Sequence, residues 1–433
     1  MDYNVQKYLT EHVGPEGLPI LNQEDWTFIH TKVEPDDFRE ELAEWIVTNK
    51  PPYPRKVSLQ NPQKADNKFL ELCSKNLESH VKPKEQTHDV LEKFDDYRRP
   101  YSSHGLGVID CGASFNIISD YDMYEERMKC GSTHSPSPME KWKNKKELAP
   151  LFKYFYRLGN DQLQIGTYIG AFRIGSYLAT QFKPPVAKCI YEMTRAEKVL
   201  DTSCGWGDRL TAFYSSPKAK TYIGCDPNGD TWVRYQYMCR RYEKLLGFKG
   251  DPIKTVNDTY FTSQGKKTVT IFRSGAEDLP WDDLADDFDC TFTSPPYFAT
   301  ERYAEGSEFE DDQSWKKFGE YELWRDQFFI PVTEQSYLHC KEGGYCMVNI
   351  LDPVVKGKRY RAGDDLIDYM EEKHEDSFLG QLGMRYMQRP KQTKSKEELD
   401  NFLKMCYIEN IWVFRKGEER VPLFNRGLED FFV

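Results

Sequence analysis

Two clusters in this chain hold residue types whose spacing suits chemistry. In Phe292-Thr293-Ser294-Pro295-Pro296-Tyr297-Phe298 a hydroxyl, two prolines and an aromatic ring follow one another. The prolines stiffen the backbone and remove two amide donors, which leaves carbonyl oxygens free to accept. Ser294 adds a hydroxyl and Tyr297 a flat face. Acceptors beside a stacking surface suit a neutral exocyclic amine on a planar ring, because the acceptors polarise the NH2 group while the ring stacks. The second cluster, Val199-Leu200-Asp201-Thr202-Ser203-Cys204-Gly205-Trp206-Gly207-Asp208-Arg209-Leu210, reads as a buried strand, a turn with two glycines and a helix. Gly205 and Gly207 let the backbone turn tightly and approach a ligand that a side chain would block. Ile223-Gly224-Cys225-Asp226-Pro227-Asn228 then puts a carboxylate at the next strand end, about 20 residues on, where it suits a ribose diol. Leu210 stands where a dinucleotide fingerprint has its third glycine, which favours an uncharged or cationic nucleoside. Taken singly, each cluster also fits a plain structural turn. Both falling just after predicted strands favours the chemical reading.

These clusters need a scaffold, and the second half of the chain supplies its pattern. From about residue 150 helical segments alternate with short apolar strands at 198–202, 221–225, 268–272, 288–292, 345–350 and 409–414. Such alternation predicts an α/β fold with a mainly parallel sheet and helices on both faces. Segments 380–389 and 409–415 suit a closing antiparallel pair. Residues 1–150 are mostly helical in pattern. In Asp36–Thr48, Phe38, Leu42, Trp45 and Ile46 recur at helical spacing behind acidic first-turn residues, and prolines follow. A short strand pair or loop is expected at 101–119, and Gly131–Pro138 is the best linker candidate. The expected division is an accessory or target-recognition region over 1–150 and a catalytic domain over 151–433.

The second half resembles the class I S-adenosylmethionine-dependent methyltransferases, over roughly 160–417. Asp201, Gly205 and Gly207 match the glycine-rich first motif of that family. The resemblance implies a Rossmann-like methyltransferase fold with S-adenosylmethionine as cofactor. It implies that Asp201, Ser203, Cys204, Gly205 and Gly207 hold the donor's methionine end and that Asp226, with Pro227, meets the ribose. Arg273–Pro280 looks like the third motif. Gly275 stands there in place of the usual Asp, so Ala276, Glu277 and Asp278 are the adenine-side candidates. Lys183 and Pro184, ahead of the first strand, resemble the segment that packs on the donor from the N-terminal side. The Ser294–Tyr297 loop looks like that of the DNA amino-methyltransferases, most like the cytosine-amine branch. That likeness makes Ser294, Pro295, Pro296 and Tyr297 the catalytic set. Ser294 and the Pro295 carbonyl accept from the target amine, and Tyr297 stacks on the base. No Pro-Cys pair stands in this loop, so a covalent attack on a base carbon is not expected.

The expected activity is direct methyl transfer to an exocyclic amine of a DNA base, cytosine ahead of adenine. RNA, a protein glutamine amine, or a non-catalytic nucleic-acid-binding module are the alternatives. Composition sets bounds. With 59 Lys+Arg against 70 Asp+Glu, the 433-residue chain carries −11, which excludes a uniformly basic coat but not a local basic cleft. The most basic part of the second half holds Lys356, Lys358, Arg359 and Arg361, then Arg385, Arg389, Lys391, Lys394 and Lys396, the candidate phosphate contacts. The acidic run Glu305–Asp312 is expected to stay clear of phosphates or to act as a lid. The eleven scattered cysteines include no C-x-x-C pair and read as reduced thiols rather than a metal site. No membrane segment is expected, and the location is expected to be cytoplasmic.

Overall fold

The computed structural model describes residues 3–84, 97–386 and 407–417. Arg389, Lys391, Lys394, Lys396 and Cys406 lie outside the described residues. The N-terminal strands are β1 (Val81–Pro83), β2 (Gly105–Ile109) and β3 (Gly131–Ser132). Next come β4 (Lys198–Asp201), β5 (Thr221–Cys225), β6 (Ile253–Val256), β7 (Tyr260–Gln264), β8 (Thr268–Phe272) and β9 (Phe288–Thr293). The last are β10 (Glu301–Arg302), β11 (Cys340–Asn349), β12 (Val354–Val355), β13 (Lys358–Arg359), β14 (Phe378–Tyr386) and β15 (Tyr407–Arg415). Eleven of them form one sheet in the order β1-β2-β14-β15-β11-β9-β4-β5-β8-β7-β6.

Its centre, β8-β5-β4-β9-β11, is parallel. β15 runs antiparallel between β11 and β14. The chain builds outward from β4 to β8, then returns to the other side of β4 through β9. This is a doubly wound, Rossmann-like arrangement, the α/β class that the alternation of strands and helices predicts. It puts a topological switch point between β4 and β9, at whose carboxyl ends a ligand crevice opens.

Strand periodicity sorts the core into two layers. In β15, Ile411 and Val413 face one layer while Trp412 and Phe414 face the other. The first layer is covered by helices Pro184–Met193, Asp208–Ser215 and Gly229–Leu245, the second by Ile330–Leu338 and Ala362–Lys373. No helix among the described residues is long and apolar enough to cross a membrane.

The N-terminal region is helical as expected, and it is built into the same body. Helix Pro35–Asn49 starts on a proline, buries Phe38, Leu42, Trp45 and Ile46, and ends at Lys50 in a left-handed conformation. It joins a core that runs from Val5 through Phe172. β1 and β2 extend the sheet beyond β14. Phe69 stacks on Tyr242 of the sheet-covering helix, with centroids 4.6 Å apart and planes at 9°. The linker expectation for 131–138 is corrected: β3 pairs with β10, Ser132 and Ser137 are buried, and Ser137 caps helix Pro138–Trp142. Small polar residues here serve strand pairing and a cap, for which their size suits them as well as it suits a linker.

Candidate active site

The carboxyl ends of the parallel strands open on one cavity of about 430 Å3. That is within the range of small-molecule sites. β4 delivers the loop 202–207. Gly205 (φ 56°) and Gly207 (φ 74°) are both left-handed, so the two-glycine turn has a steric reason. A Cβ on Gly207 would also meet Met238 at 2.5 Å. β5 delivers Asp226, whose carboxylate accepts from the amides of Gly205 (3.1 Å) and Asn228 (3.0 Å), from Thr231 Oγ1 (3.1 Å) and from the Tyr235 hydroxyl (2.9 Å). Burial pushes its pKa up to about 6 against the pull of those donors.

Most of the expected donor-binding residues meet in the wall: Ser203, Cys204, Gly205, Asp226, Pro227, Ala276, Glu277 and Lys183. Four do not. Gly207 caps the following helix, Pro184 is a buried first residue of its helix, and Asp278 pairs with Lys317 at 2.7 Å outside the wall. Asp201 is fully buried behind the wall. Its oxygens take the Ser203 amide (3.2 Å), Arg209 Nε (2.9 Å) and the Tyr222 hydroxyl (2.6 Å), so it braces the loop. Lys183 turns its ammonium to the carbonyls of Cys111 (3.0 Å) and Arg385 (2.5 Å), and burial lowers its pKa. Glu277 folds back over Gly275, where a Cβ would lie 2.4 Å from Glu277 Oε2. Gly275 thus makes room for the Glu277 side chain.

β9 delivers Ser294–Tyr297, all in the wall. The Pro296 carbonyl accepts from the Phe298 amide at 2.9 Å, which leaves the Pro295 carbonyl without a donor among the described residues. Phe298 is left-handed (φ 51°) and buried against Tyr321, Trp324 and Tyr360, which locks the loop. The Tyr297 hydroxyl donates to Glu409 and reaches Asn349 Oδ1 at 3.3 Å and Ser294 Oγ at 3.5 Å. Burial raises the pKa of both Tyr297 and Glu409. Glu409 was readable in the sequence as a lone acid inside the apolar strand Ile408–Phe414, since carboxylates are rarely fully buried unpaired. Sequence reading also missed Asn349 and Tyr177, which reach the wall only through tertiary packing, and it noted Glu301 and Tyr303 only as part of the segment after the Ser294–Tyr297 loop, with no role in the site.

Residues 303–318 cover the side of the cavity that holds Asp226 and Glu277. Phe309 sits on Gly229, Lys317 bridges Glu277 (2.9 Å) and Asp278 (2.7 Å), and Trp315 Nε1 donates to the Tyr303 carbonyl at 2.9 Å. The acidic run is therefore packed against the site. The candidate phosphate contacts sit at the edge of this region: Lys356, Lys358 and Arg359 are exposed on the β12–β13 hairpin, and Tyr360 at its end packs on Phe298.

The wall carries six carboxylates, Asp208, Asp226, Glu277, Glu301, Asp312 and Glu409, against the two cations Lys183 and Arg209. Buried polar atoms without partners cluster here as well, namely Thr202 Oγ1, Asp208 Oδ2, Glu277 Oε2, Thr300 Oγ1 and Ser314 Oγ. Such orphans cost free energy unless a ligand or water meets them. An electron-poor, cationic nucleoside with many polar groups fits this wall better than a phosphorylated one. The ten described cysteines are free, and burial pushes the Cys204, Cys225 and Cys290 thiols up, which suits packing roles.

No protein-family model and no curated protein matches the chain. Similar solved structures include Trm1 from Pyrococcus horikoshii in complex with S-adenosyl-L-methionine, at 14% identity and TM-score 0.33, covering 55% of this chain and 57% of that one. The chain thus spans little more than half the length of Trm1. An O-methyltransferase from Bacillus cereus in complex with SAH follows at 9% identity and TM-score 0.31, with 62% and 91% covered. A SAM-dependent O-methyltransferase from Thermotoga maritima is 11% identical at TM-score 0.29, with 56% and 69% covered. Likenesses this distant carry no functional argument, and function has to be read from the chain's own site.

Proposed function

We propose that this protein is an S-adenosylmethionine-dependent methyltransferase acting on the exocyclic amine of a DNA base, with cytosine favoured over adenine. One observation carries the reading: the 203–205 loop with Asp226 and the Ser294–Tyr297 loop line the same cavity at the switch point. The wall's excess of carboxylates suits a sulfonium donor. S-adenosylmethionine would supply an activated methyl group there, with Asp226 towards the ribose and Ala276 and Glu277 towards the adenine. On the acceptor side, Tyr297 stacks on a base that has left the helix, while Ser294 Oγ and the Pro295 carbonyl accept from its amine. With the donor bound, the amine lone pair would take the methyl carbon as its bond to the sulfonium sulfur breaks to leave a neutral thioether, and the extra amine proton would pass to water. These residues act by positioning and polarisation, which need no covalent intermediate. The β12–β13 hairpin and residues 1–150 are the proposed target-recognition elements.

The test is transfer of labelled methyl from S-adenosylmethionine to unmethylated DNA, RNA and protein, with Tyr297→Ala alongside. Label in DNA, recovered as an amine-methylated base and lost in the variant, supports the reading. Label only in RNA or protein keeps the chemistry and overturns the substrate. Absence of donor binding overturns the methyltransferase reading itself.

A further inference from the structure

The donor reading leaves one group without a partner. S-adenosylmethionine ends in an α-ammonium that a carboxylate suits, and Asp201, the residue the family likeness points to, is ion-paired with Arg209 away from the cavity. It lies behind the wall, with Arg209, Tyr222 and the Ser203 amide on its two oxygens. A different carboxylate faces the cavity close by. Glu301 follows the acceptor loop and is held on Oε1 by the Tyr177 hydroxyl and the Thr180 amide (3.3 Å), and on Oε2 by the Tyr303 hydroxyl. The Trp206 ring packs on Tyr303 with centroids 5.8 Å apart, and its Nε1 donates to the Thr180 carbonyl at 3.2 Å. Tyr177, Trp206, Glu301 and Tyr303 all line the cavity. No cation pairs with Glu301 among the described residues, although Arg209 and Lys183 line the same wall and are engaged elsewhere.

Asp208 is the second observation. It is only 2% exposed, lines the cavity and leaves Oδ2 without a partner, while Oδ1 takes the side chains of Ser119 and Gln181. Thr180 and Gln181 thus tie the two carboxyls to one short segment. An anion held by two tyrosine hydroxyls, with the Trp206 ring and an unmet carboxyl oxygen on the same wall, is chemistry for an ammonium group.

We infer that Glu301, framed by Tyr177, Trp206 and Tyr303 and flanked by Asp208, takes the donor's α-ammonium in place of Asp201. This rests on the donor reading above. It also links the two halves of the reaction, because Glu301 lies four residues after Tyr297 and its strand β10 pairs with β3. A filled ammonium site would then brace the acceptor loop through its own chain.

Calorimetric titration with two ligands tests it: S-adenosylhomocysteine, which carries the ammonium, and 5′-deoxy-5′-methylthioadenosine, which lacks it. Glu301→Gln is expected to weaken the first by about tenfold or more, the size of a charge-assisted hydrogen bond, and the second by less than about twofold. Asp208→Asn is expected to act in the same direction, with a melting temperature no lower than that of the wild type above pH 7. Asp201→Asn is expected to lower the melting temperature and to leave the ratio of the two affinities unchanged. The assignment falls if Glu301→Gln and Asp208→Asn leave that ratio unchanged. It falls as well if Asp201→Asn alone lowers S-adenosylhomocysteine affinity at an unchanged melting temperature. Wild-type protein that binds both ligands equally has no ammonium site and overturns this inference alone. Wild-type protein that binds neither overturns the donor reading with it.

Discussion

Tyr297 is held at both ends. Its ring belongs to the acceptor loop and its hydroxyl is tied to Glu409 on a different strand. Tyr297→Phe keeps the ring and strands a buried carboxyl, whereas Tyr297→Ala removes the stacking face. The expected order in kcat/KM is wild type, then Phe at about tenfold down, then Ala at about a hundredfold down, the range of a lost hydrogen bond and a lost base stack. Single-turnover assays of the three proteins check the order, and an alanine variant equal to the phenylalanine variant would refute it. Asp208 makes a second, independent prediction. Burial raises its folded pKa to about 7, against the ordinary carboxyl value of 3.8. The folded state therefore holds this proton more tightly than the unfolded state. The stability so gained is complete below the unfolded value and is lost as pH climbs through about 7, with a ceiling of about 4 kcal/mol. Asp208→Asn removes the titration. Its melting temperature should rise relative to wild type between pH 4 and 7 and then level off; parallel curves would refute the assignment.

At the scale of elements, the site depends on close approaches that only glycine permits. Gly229 opens the helix after β5, and Phe309 of the covering segment lies where its Cβ would be, at 2.3 Å. Gly229→Ala should push that segment off the donor side without touching a wall residue. Faster proteolysis within 303–318 and faster cofactor release are expected, and unchanged proteolysis would show that the segment is not seated there. Gly224 works from beneath: a Cβ there meets Cys204 Sγ at 2.3 Å, so Gly224→Ala should distort the 202–207 loop. The expected cost is about 1–3 kcal/mol of stability, as for overpacking, read from denaturant midpoints.

Across the whole molecule, the N-terminal third and the sheet share one core. Phe69, Leu72, Val81, Ile109, Phe115, Ile118 and Met123 belong to the same cluster as Val199, Tyr222 and Phe292. A fragment spanning 151–433 would expose that surface. It should lose cooperative unfolding, as a calorimetric scan would show, and a sharp transition in the fragment would refute this. Charge sets the second expectation at this scale. In a chain of net charge −11, nucleic-acid contact depends on local patches such as Lys356 and Lys358, both exposed and outside any ion pair among the described residues. Reversal to Lys356→Glu and Lys358→Glu should weaken DNA binding about equally for all sequences. It should also lower the salt slope by about two, while donor affinity stays the same.

The strands at the centre of the sheet, the two-glycine turn, Asp226 and the Ser294–Tyr297 loop were legible from the residues alone, while the edge strands β6 and β7 were not. Each is a local signal, a period of two or a backbone demand that one short segment states completely. The parallel centre of the sheet followed from those strands, since the helices between them leave few other ways to bury both faces. Glu301, Glu409, Asn349 and Asp208 were not legible as one wall, because β9, β10, β11, β15 and the helix after β4 meet only when the sheet closes. The same closure decided against a free linker at 131–138, where small polar residues suit a loop and a strand partner equally. It also moved Asp201 out of reach: the motif names the residue, but packing pairs it with the Arg209 guanidinium and the Tyr222 hydroxyl behind the cavity wall, where a ligand does not meet it.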